Sequence, residues 1–308
     1  MELKQITVTK PLLEVGCLLG EGPVYEGRTA TLHFVDIVAQ KVFHLNTETL
    51  KLEVEHFDEP ITCLVLRRNR KGLACATASG IATIEDKSTL NYLTRPIPEK
   101  DRPYVRFNDG ACDSKGRFFV GSVYNKEHSI PGLLHRYDPK DGTCVVVDEG
   151  PFTDTNGIGW SLDEKTMYFT DSLTNLVYAY DYDDGNISNR RVFIDALAQG
   201  LQNGSFPDGF CIDSHGCIWS ARWNGSRIVR FNREGKADLE ILIPTVYRVT
   251  ACCFGGPNED KLYITTAHCG VLGGDVSLQA KFPDSGHLFM VDLAGQYRGG
   301  KWRHEFAL

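Results

Sequence analysis

The chain has 308 residues, of which 42% are hydrophobic and 24% are charged, and its net charge is −7. This balance predicts a sizeable buried core and argues against a nucleic-acid partner. No stretch approaches the roughly 18 apolar residues that span a membrane, and the first residues lack the apolar core of a signal peptide. Ten cysteines without regular spacing predict reduced thiols in a cytoplasmic protein that has no membrane partner.

Six segments along the chain share a strand–turn–strand pattern. Taking one residue of each as equivalent, the units are spaced by 40, 48, 47, 52 and 42 residues, at Gly22, Thr62, Gly110, Gly157, Gly209 and Ala251. Each pair of strands is followed by another alternating strand, such as "KVFHLN" or "LVYAYDYD". Short strands repeating at this period predict an all-β fold, a six-bladed β-propeller, which we expect to be a single domain over residues 1–308.

Two terminal segments fall outside the six units. The N-terminal stretch "QITVTK" has no partner in the first unit, so we expect it to form the outer strand of the last blade, where it closes the ring and covers an open edge. The stretch "GQYRGGKW" (295–302) begins like a phosphate-binding loop, but Trp302 stands where that loop needs Ser or Thr. We therefore expect it to be the last strand.

Polar side chains precede glycine at the start of four units. They are Glu21, Asp109 with Asn108 beside it, Asn156 and Asp208. Because the first strand of each blade lines the channel of a propeller, these side chains should converge at one mouth. Carboxylate and amide oxygens in that arrangement favour a hard divalent cation such as Ca²⁺, Mg²⁺ or Mn²⁺. The alternative is that each Asp-Gly or Asn-Gly pair only makes a turn.

Several of these stretches also carry a family resemblance. Through "GEGPVY", "RFNDGACDSKGRFFVGS", "NGIGWSLDEKTMYFTDS" and "PDGFCIDSHGCIW", the chain resembles the senescence marker protein/gluconolactonase/luciferin-regenerating enzyme family over nearly its whole length. The resemblance implies a six-bladed propeller with one divalent metal ion on its axis, Ca²⁺ first, with Zn²⁺, Mg²⁺ and Mn²⁺ as alternatives. It implies Glu21, Asn156 and Asp208 as metal ligands and Asp208 as the general base.

The same resemblance implies that Arg106 and Asn108 contact substrate hydroxyls, and we group Asp109 with them. The chain departs from the family pattern after the second strand of this unit. Family members place an acidic residue where this chain has Lys126, so Glu127 or Asn125 takes that role or the substrate differs. Tyr124 and Trp223, just after second strands, are expected near the mouth, where they either contact ligand or pack.

These expectations lead to a metal-dependent lactonase that opens a sugar (aldono-) lactone to the aldonic acid. Two alternatives stay open. One is a non-catalytic calcium-binding or regulatory propeller, and the other is a hydrolase of other esters, including organophosphates, that uses the same site. Arg106 and Asn108 favour an enzyme, because a calcium buffer has no need of groups that contact substrate. The particular lactone, the native metal and the oligomeric state are left open.

Overall fold

The computed structural model describes residues 3–85 and 88–308. Within these ranges the strands form six sheets arranged as the blades of a β-propeller, which confirms the predicted fold. Blades 1 to 3 contain β2 (Gly20–Glu26), β3 (Thr31–Asp36), β4 (Lys41–Asn46) and β5 (Leu52–His56); β6 (Ile61–Leu66), β7 (Leu73–Thr77), β8 (Ile81–Glu85) and β9 (Thr89–Thr94); and β10 (Phe107–Cys112), β11 (Phe118–Ser122), β12 (Gly132–Asp138) and β13 (Thr143–Phe152).

Blades 4 to 6 contain β14 (Thr155–Trp160), β15 (Thr166–Asp171), β16 (Leu176–Asp183) and β17 (Asn186–Asp195); β18 (Phe206–Ile212), β19 (Ile218–Trp223), β20 (Arg227–Phe231) and β21 (Ala237–Leu242); and β22 (Arg248–Gly255), β23 (Lys261–Ala267) and β24 (Phe289–Asp292). The helices described are short 3₁₀ segments at Ser172–Thr174, Val271–Gly273 and Val276–Ala280. None of them is long and apolar enough to cross a membrane. That the chain is one domain stays a prediction.

The core lies between neighbouring blades. Phe152 of blade 3 meets Phe169 of blade 4 edge-to-face, with ring centroids 4.7 Å apart, and Trp219 of blade 5 meets Phe254 of blade 6 in the same way at 5.6 Å. First strands of adjacent blades contact each other, so they surround the axis. Both faces of each sheet are therefore covered, which is why the inner strands are apolar almost throughout.

The expectation for the N-terminal strand was wrong. The strand β1 (Lys4–Thr7) lies parallel to β21 and forms a fifth strand of blade 5, not the outer strand of the last blade. Blade 6 is completed instead by the backbone of Leu12 and Leu13, which pairs with Leu288. Any open sheet edge offers the same backbone groups to an extended segment, so blade 5 can accept this strand as well as blade 6 can. The segment from β1 to Leu13 thus pairs with both blades and still closes the ring.

The C-terminal segment is an irregular tail rather than a last strand. It crosses the ends of four inner strands: Gly300 N–H donates to Ile212 O (3.0 Å), Trp160 N–H to Trp302 O (3.0 Å), His304 N–H to Cys112 O (2.9 Å) and Phe306 N–H to Leu66 O (2.8 Å). These residues lie at the ends of their strands farthest from the predicted site. The tail therefore covers that end of the channel, where the Arg303 guanidinium donates to Pro23 O (2.6 Å).

A buried histidine in blade 3 should make stability depend on pH. His135 is 6% exposed, and burial lowers its pKa to about 4, whereas an unfolded histidine has a pKa of about 6.5. The folded protein therefore favours the neutral ring. The free energy of unfolding is unaffected by protonation of this residue above about pH 6.5 and falls as the pH drops toward 4, with about 2 kcal/mol lost at pH 5. Urea unfolding at pH 7 and pH 5 should show a smaller difference for His135→Gln than for wild type. Equal differences would contradict this.

Candidate active site at the open end of the channel

A β-bulge lies at or next to each predicted site residue in the first strands of the blades. The pairing shifts directly after Phe107, Thr155 and Pro207, so the next residue in each case opens the bulge. Those residues are Asn108, Asn156 and Asp208; in blade 1 the shift follows Glu21. Two residues then oppose one on the neighbouring strand, which turns a side chain away from the sheet. The bulges of blades 3, 4 and 5 thereby turn Asn108, Asn156 and Asp208 toward one cavity, and Glu21 lies directly before the bulge of blade 1.

Glycine follows three of these residues for structural reasons. A Cβ on Gly209 would lie 2.6 Å from the Cβ of Ala251 in the next blade, and Gly22 has a φ of +53°. At Gly209, two inner strands approach too closely for a side chain. At Gly22, the backbone has a conformation that other residues rarely adopt. The predicted glycines therefore let neighbouring first strands come close enough for the polar side chains to meet.

The side chains from separate blades line one cavity of about 510 Å³, including its open mouth. Its polar lining consists of Glu21, Arg106, Asn108, Asp154, Asn156, Ser172 and Asp208. Its apolar lining consists of Leu19, Leu173, Phe206, Trp223 and Leu272. The predicted metal ligands and the predicted substrate contacts Arg106 and Asn108 are thus brought together, and Trp223 is at the mouth as expected.

A chain of hydrogen bonds orients the two amides. Arg106 donates to Asn108 Oδ1 (2.5 Å), Asn108 Nδ2 donates to Asn156 Oδ1 (3.0 Å), and Asn156 Nδ2 donates to Ser172 Oγ (2.8 Å). Each amide therefore has a fixed direction, with the carbonyl oxygen of Asn156 on the side of Asn108. Oriented acceptors of this kind are ready to bind a cation or a hydroxyl without first rearranging.

Acidic groups are concentrated in the cavity. Burial, reinforced by Asp109, raises the pKa of Glu21 to about 8. Burial and then the charges of Glu21, Asp154 and Asp109 raise the pKa of Asp208 well above its ordinary value. Burial also lowers the pKa of Arg106, although the nearby carboxylates oppose that change. The cavity thus has more carboxylates than its single guanidinium can balance.

This donor set fits a hard divalent cation. Neither Glu21 nor Asp208 forms an ion pair within the described residues; each carboxylate accepts one bond from the N–H of the following glycine, at 3.0 and 3.1 Å. Buried carboxylates without a counter-charge are costly, and a cation would remove that cost. No group of three His, Cys, Asp or Glu suited to a metal ion is found in residues 3–85 and 88–308. The proposed metal ligands do not meet that criterion, because only Glu21 and Asp208 are acidic and the third ligand is Asn156.

Three of the predicted substrate contacts lie elsewhere. Asp109 is the second bulge residue of blade 3 and lines a smaller, deeper cavity with Arg303; the alignment of Gly110 with Gly157 was out of register by one residue. Tyr124 and Glu127 are exposed and do not line the open cavity. Their loop folds back on itself, because Asn125 and Ile130 form an antiparallel bridge. Contact of all three with substrate stays a prediction.

The sequence reading missed an acidic residue and most of the apolar wall. Asp154 precedes the strand that carries Asn156 and lines the same cavity. The stretch "TDTNG" contains it, but only the asparagine before the glycine was assigned a role. Leu272 is 66% exposed, with a φ of +51°, and comes from the long loop between β23 and β24 of blade 6. Loops of this kind have no signature in one sequence.

Comparisons with known proteins agree with this architecture. The family model described as the SMP-30/gluconolactonase/LRE-like region matches residues 19–268. A regucalcin of Xenopus laevis is 34% identical over 286 residues, which is 90% of this chain and 91% of the relative. A solved luciferin-regenerating enzyme superposes with a TM-score of 0.84 at 26% identity, covering 98% of this chain and 99% of that one.

A calcium-binding protein, regucalcin, from Agrobacterium tumefaciens has the same fold. It superposes with a TM-score of 0.85 at 22% identity and covers 99% of both chains. The family model spans most of the propeller, including every residue of the cavity except Leu272. On this match and on its identity to the amphibian relative, the chain belongs to the SMP-30/gluconolactonase/LRE-like family.

Proposed function

We propose that this protein is a metal-dependent lactonase that hydrolyses a sugar lactone to its aldonic acid. One observation carries the proposal: Glu21, Asn156 and Asp208 line the same cavity as Arg106 and Asn108, at the open end of the channel. Oxygen donors for a cation thus lie beside donors for a substrate. Membership of a family named for gluconolactonase supports the same activity.

Each residue has a role that follows from its position. Arg106 keeps part of its guanidinium free after donating to Phe107 O and Asn108 Oδ1 through one nitrogen, and its planar fork suits paired substrate oxygens. Asp208 accepts a proton from the water that attacks the carbonyl carbon. The ring C–O bond then breaks, the proton passes to the departing alkoxide oxygen, and one water is consumed for each aldonic acid formed.

Glu21, Asn156 and Asp208 would hold the metal ion. A divalent cation bound there, Ca²⁺ in the first instance, supplies Lewis-acid polarisation of the carbonyl group. Glu21, Asn156 and the amide of Asn108 set the position of the substrate carbonyl relative to Asp208. The ten free cysteines, nine of them buried, support a reducing compartment, which we take to be the cytoplasm.

A non-catalytic calcium-binding role is the second candidate, because the Agrobacterium protein of the same fold is described as calcium-binding. The two functions differ in what Arg106 is for. A calcium buffer gains nothing from a guanidinium beside its ligands, since like charges repel. Arg106 nevertheless lines the cavity with Glu21 and Asp208, which favours the enzyme.

Proton release from a panel of aldonolactones, with and without chelator, should distinguish the two functions. We expect turnover of at least one lactone with Ca²⁺, Mg²⁺, Mn²⁺ or Zn²⁺ present, and loss of that turnover when the metal is chelated. Arg106→Ala should raise KM while calcium affinity is retained. Tight calcium uptake without turnover of any lactone would contradict the lactonase and support the binding protein.

A further inference from the structure

Asp154 is the acidic residue of the cavity that neither the proposed metal set nor the proposed base uses. It lies two residues before Asn156 and lines the cavity with Glu21, Arg106 and Asp208. Through its carboxylate it makes no hydrogen bond and no ion pair with any described residue. Asp154 is half-buried, so its carboxylate has lost part of its hydration, and no described donor replaces it.

The backbone of Asp154 is held by hydrogen bonds, whereas its side chain makes none with the described residues. Asp171 Oδ1 accepts bonds from the N–H groups of Thr153 (2.9 Å) and Asp154 (3.1 Å), and from the Thr153 hydroxyl. Asp154 O in turn accepts from Ser172 N–H (2.9 Å). Asp171 is 1% exposed, so a buried side chain fixes the position from which Asp154 faces the cavity. A site of this kind is pre-organised for a ligand.

Arg106 and Asp154 form a donor and an acceptor in one cavity. Both side chains line the open cavity, yet they form no ion pair within 4.0 Å. The space between them suits a group that donates to one and accepts from the other. A sugar hydroxyl does both, because it has one donor hydrogen and two acceptor lone pairs.

We propose that Asp154 is a specificity-determining residue that accepts hydrogen bonds from substrate hydroxyls, and that it selects polyhydroxylated lactones over plain ones. The inference deepens the proposed function and rests on it. It assigns an acidic contact to Asp154, directly before the first strand of blade 4, whereas Glu127 does not line the open cavity. An ionised carboxylate only accepts hydrogen bonds, so lactones without hydroxyl groups gain nothing from it.

Asp154→Asn keeps the size of the side chain and removes its charge. For δ-gluconolactone we expect KM to rise about tenfold or more, the loss of a hydrogen bond to a charged group. For δ-valerolactone, which has no hydroxyl group, KM should stay within about twofold. Asp183→Asn is the matched control: Asp183 is exposed at the end of β16 in the same blade, and its replacement should change neither constant.

Calorimetry on the calcium-loaded protein gives a second readout that needs no turnover. Gluconate should bind wild type and Asp183→Asn alike and Asp154→Asn about tenfold more weakly, while calcium affinity stays unchanged in all three. An equal effect on both lactones, or a tenfold loss of calcium affinity in Asp154→Asn, would overturn the proposal, and the second result would make Asp154 a metal ligand.

The same experiments separate this inference from the lactonase itself. If no lactone is hydrolysed but Asp154→Asn still weakens gluconate binding, the hydrolytic function fails and the role of Asp154 stands. If lactones are hydrolysed and Asp154→Asn behaves as wild type on both of them, the role of Asp154 fails and the function stands. Absence of both turnover and gluconate binding in wild type overturns both.

Discussion

Replacing Asp208 by Asn should reduce lactone turnover by at least about a hundredfold, the usual contribution of a general base. The loss should persist at saturating Ca²⁺, because the amide can still offer an oxygen but cannot accept the proton. In chelator, the variant should be no less stable than wild type, since Asp208 is buried in a cavity that also holds Glu21 and Asp154. Because the pKa of Asp208 is raised in the folded protein, folding with this acid costs free energy at neutral pH, and the amide avoids that cost.

The comparison with Glu21→Gln tests the division of roles. That variant should weaken calcium binding and should recover part of its activity when Ca²⁺ is raised, whereas Asp208→Asn should not recover. Asp183→Asn, with the same charge change at the surface, should match wild type in both assays. If Asp208→Asn turned over lactone at the wild-type rate with metal bound, Asp208 would not be the base.

Replacing Phe306 by Ala should lower the free energy of unfolding by about 3–5 kcal/mol, as for other fully buried phenylalanines. Phe306 is 0% exposed and meets the rings of Phe118 and Tyr137, at 6.2 and 6.0 Å between centroids. Its side chain anchors the tail beneath blades 2 and 3. Urea unfolding followed by fluorescence measures the change, and Lys301→Ala, at an exposed position of the same tail, is the control.

The activity of the folded Phe306→Ala protein at low temperature should stay near that of wild type. Phe306 bonds to Leu66, the last residue of β6, at the end of the channel away from Glu21 and Asp208. A change of less than about 1 kcal/mol in stability would show that the tail does not fasten this end. A loss of calcium binding without loss of stability would show that the two ends are coupled.

The repeat made the blades predictable, because each unit encodes its own strand pairing. Glu21, Asn156 and Asp208 followed from it, since each precedes a glycine in a unit whose first strand faces the axis. Asp109 did not, because the glycine is the second bulge residue in blades 4 and 5 but follows the bulge in blade 3. Alignment on glycine therefore selected Asp109, although Asn108 is the residue at the equivalent position.

Contacts between distant segments were beyond the sequence for a different reason. The backbone of β1 carries no information about which open edge it joins, so blade 5 and blade 6 were equally acceptable partners for it. The cavity-lining role of Asp154 depends on its bonds to Asp171 and Ser172, and the place of Leu272 depends on the loop between β23 and β24. Local patterns do not determine such packing.

The pairing of residues 4–13 with blades 5 and 6 has a consequence for how the protein is made. Lys4 pairs with Leu239, and Leu13 with Leu288, so these contacts join parts of the chain that are synthesised far apart in time. Such long-range contacts slow folding, and until they form, the unpaired margins of blades 5 and 6 are free to bind another nascent chain. We expect refolding yield to fall as protein concentration rises, and more steeply when residues 3–13 are removed.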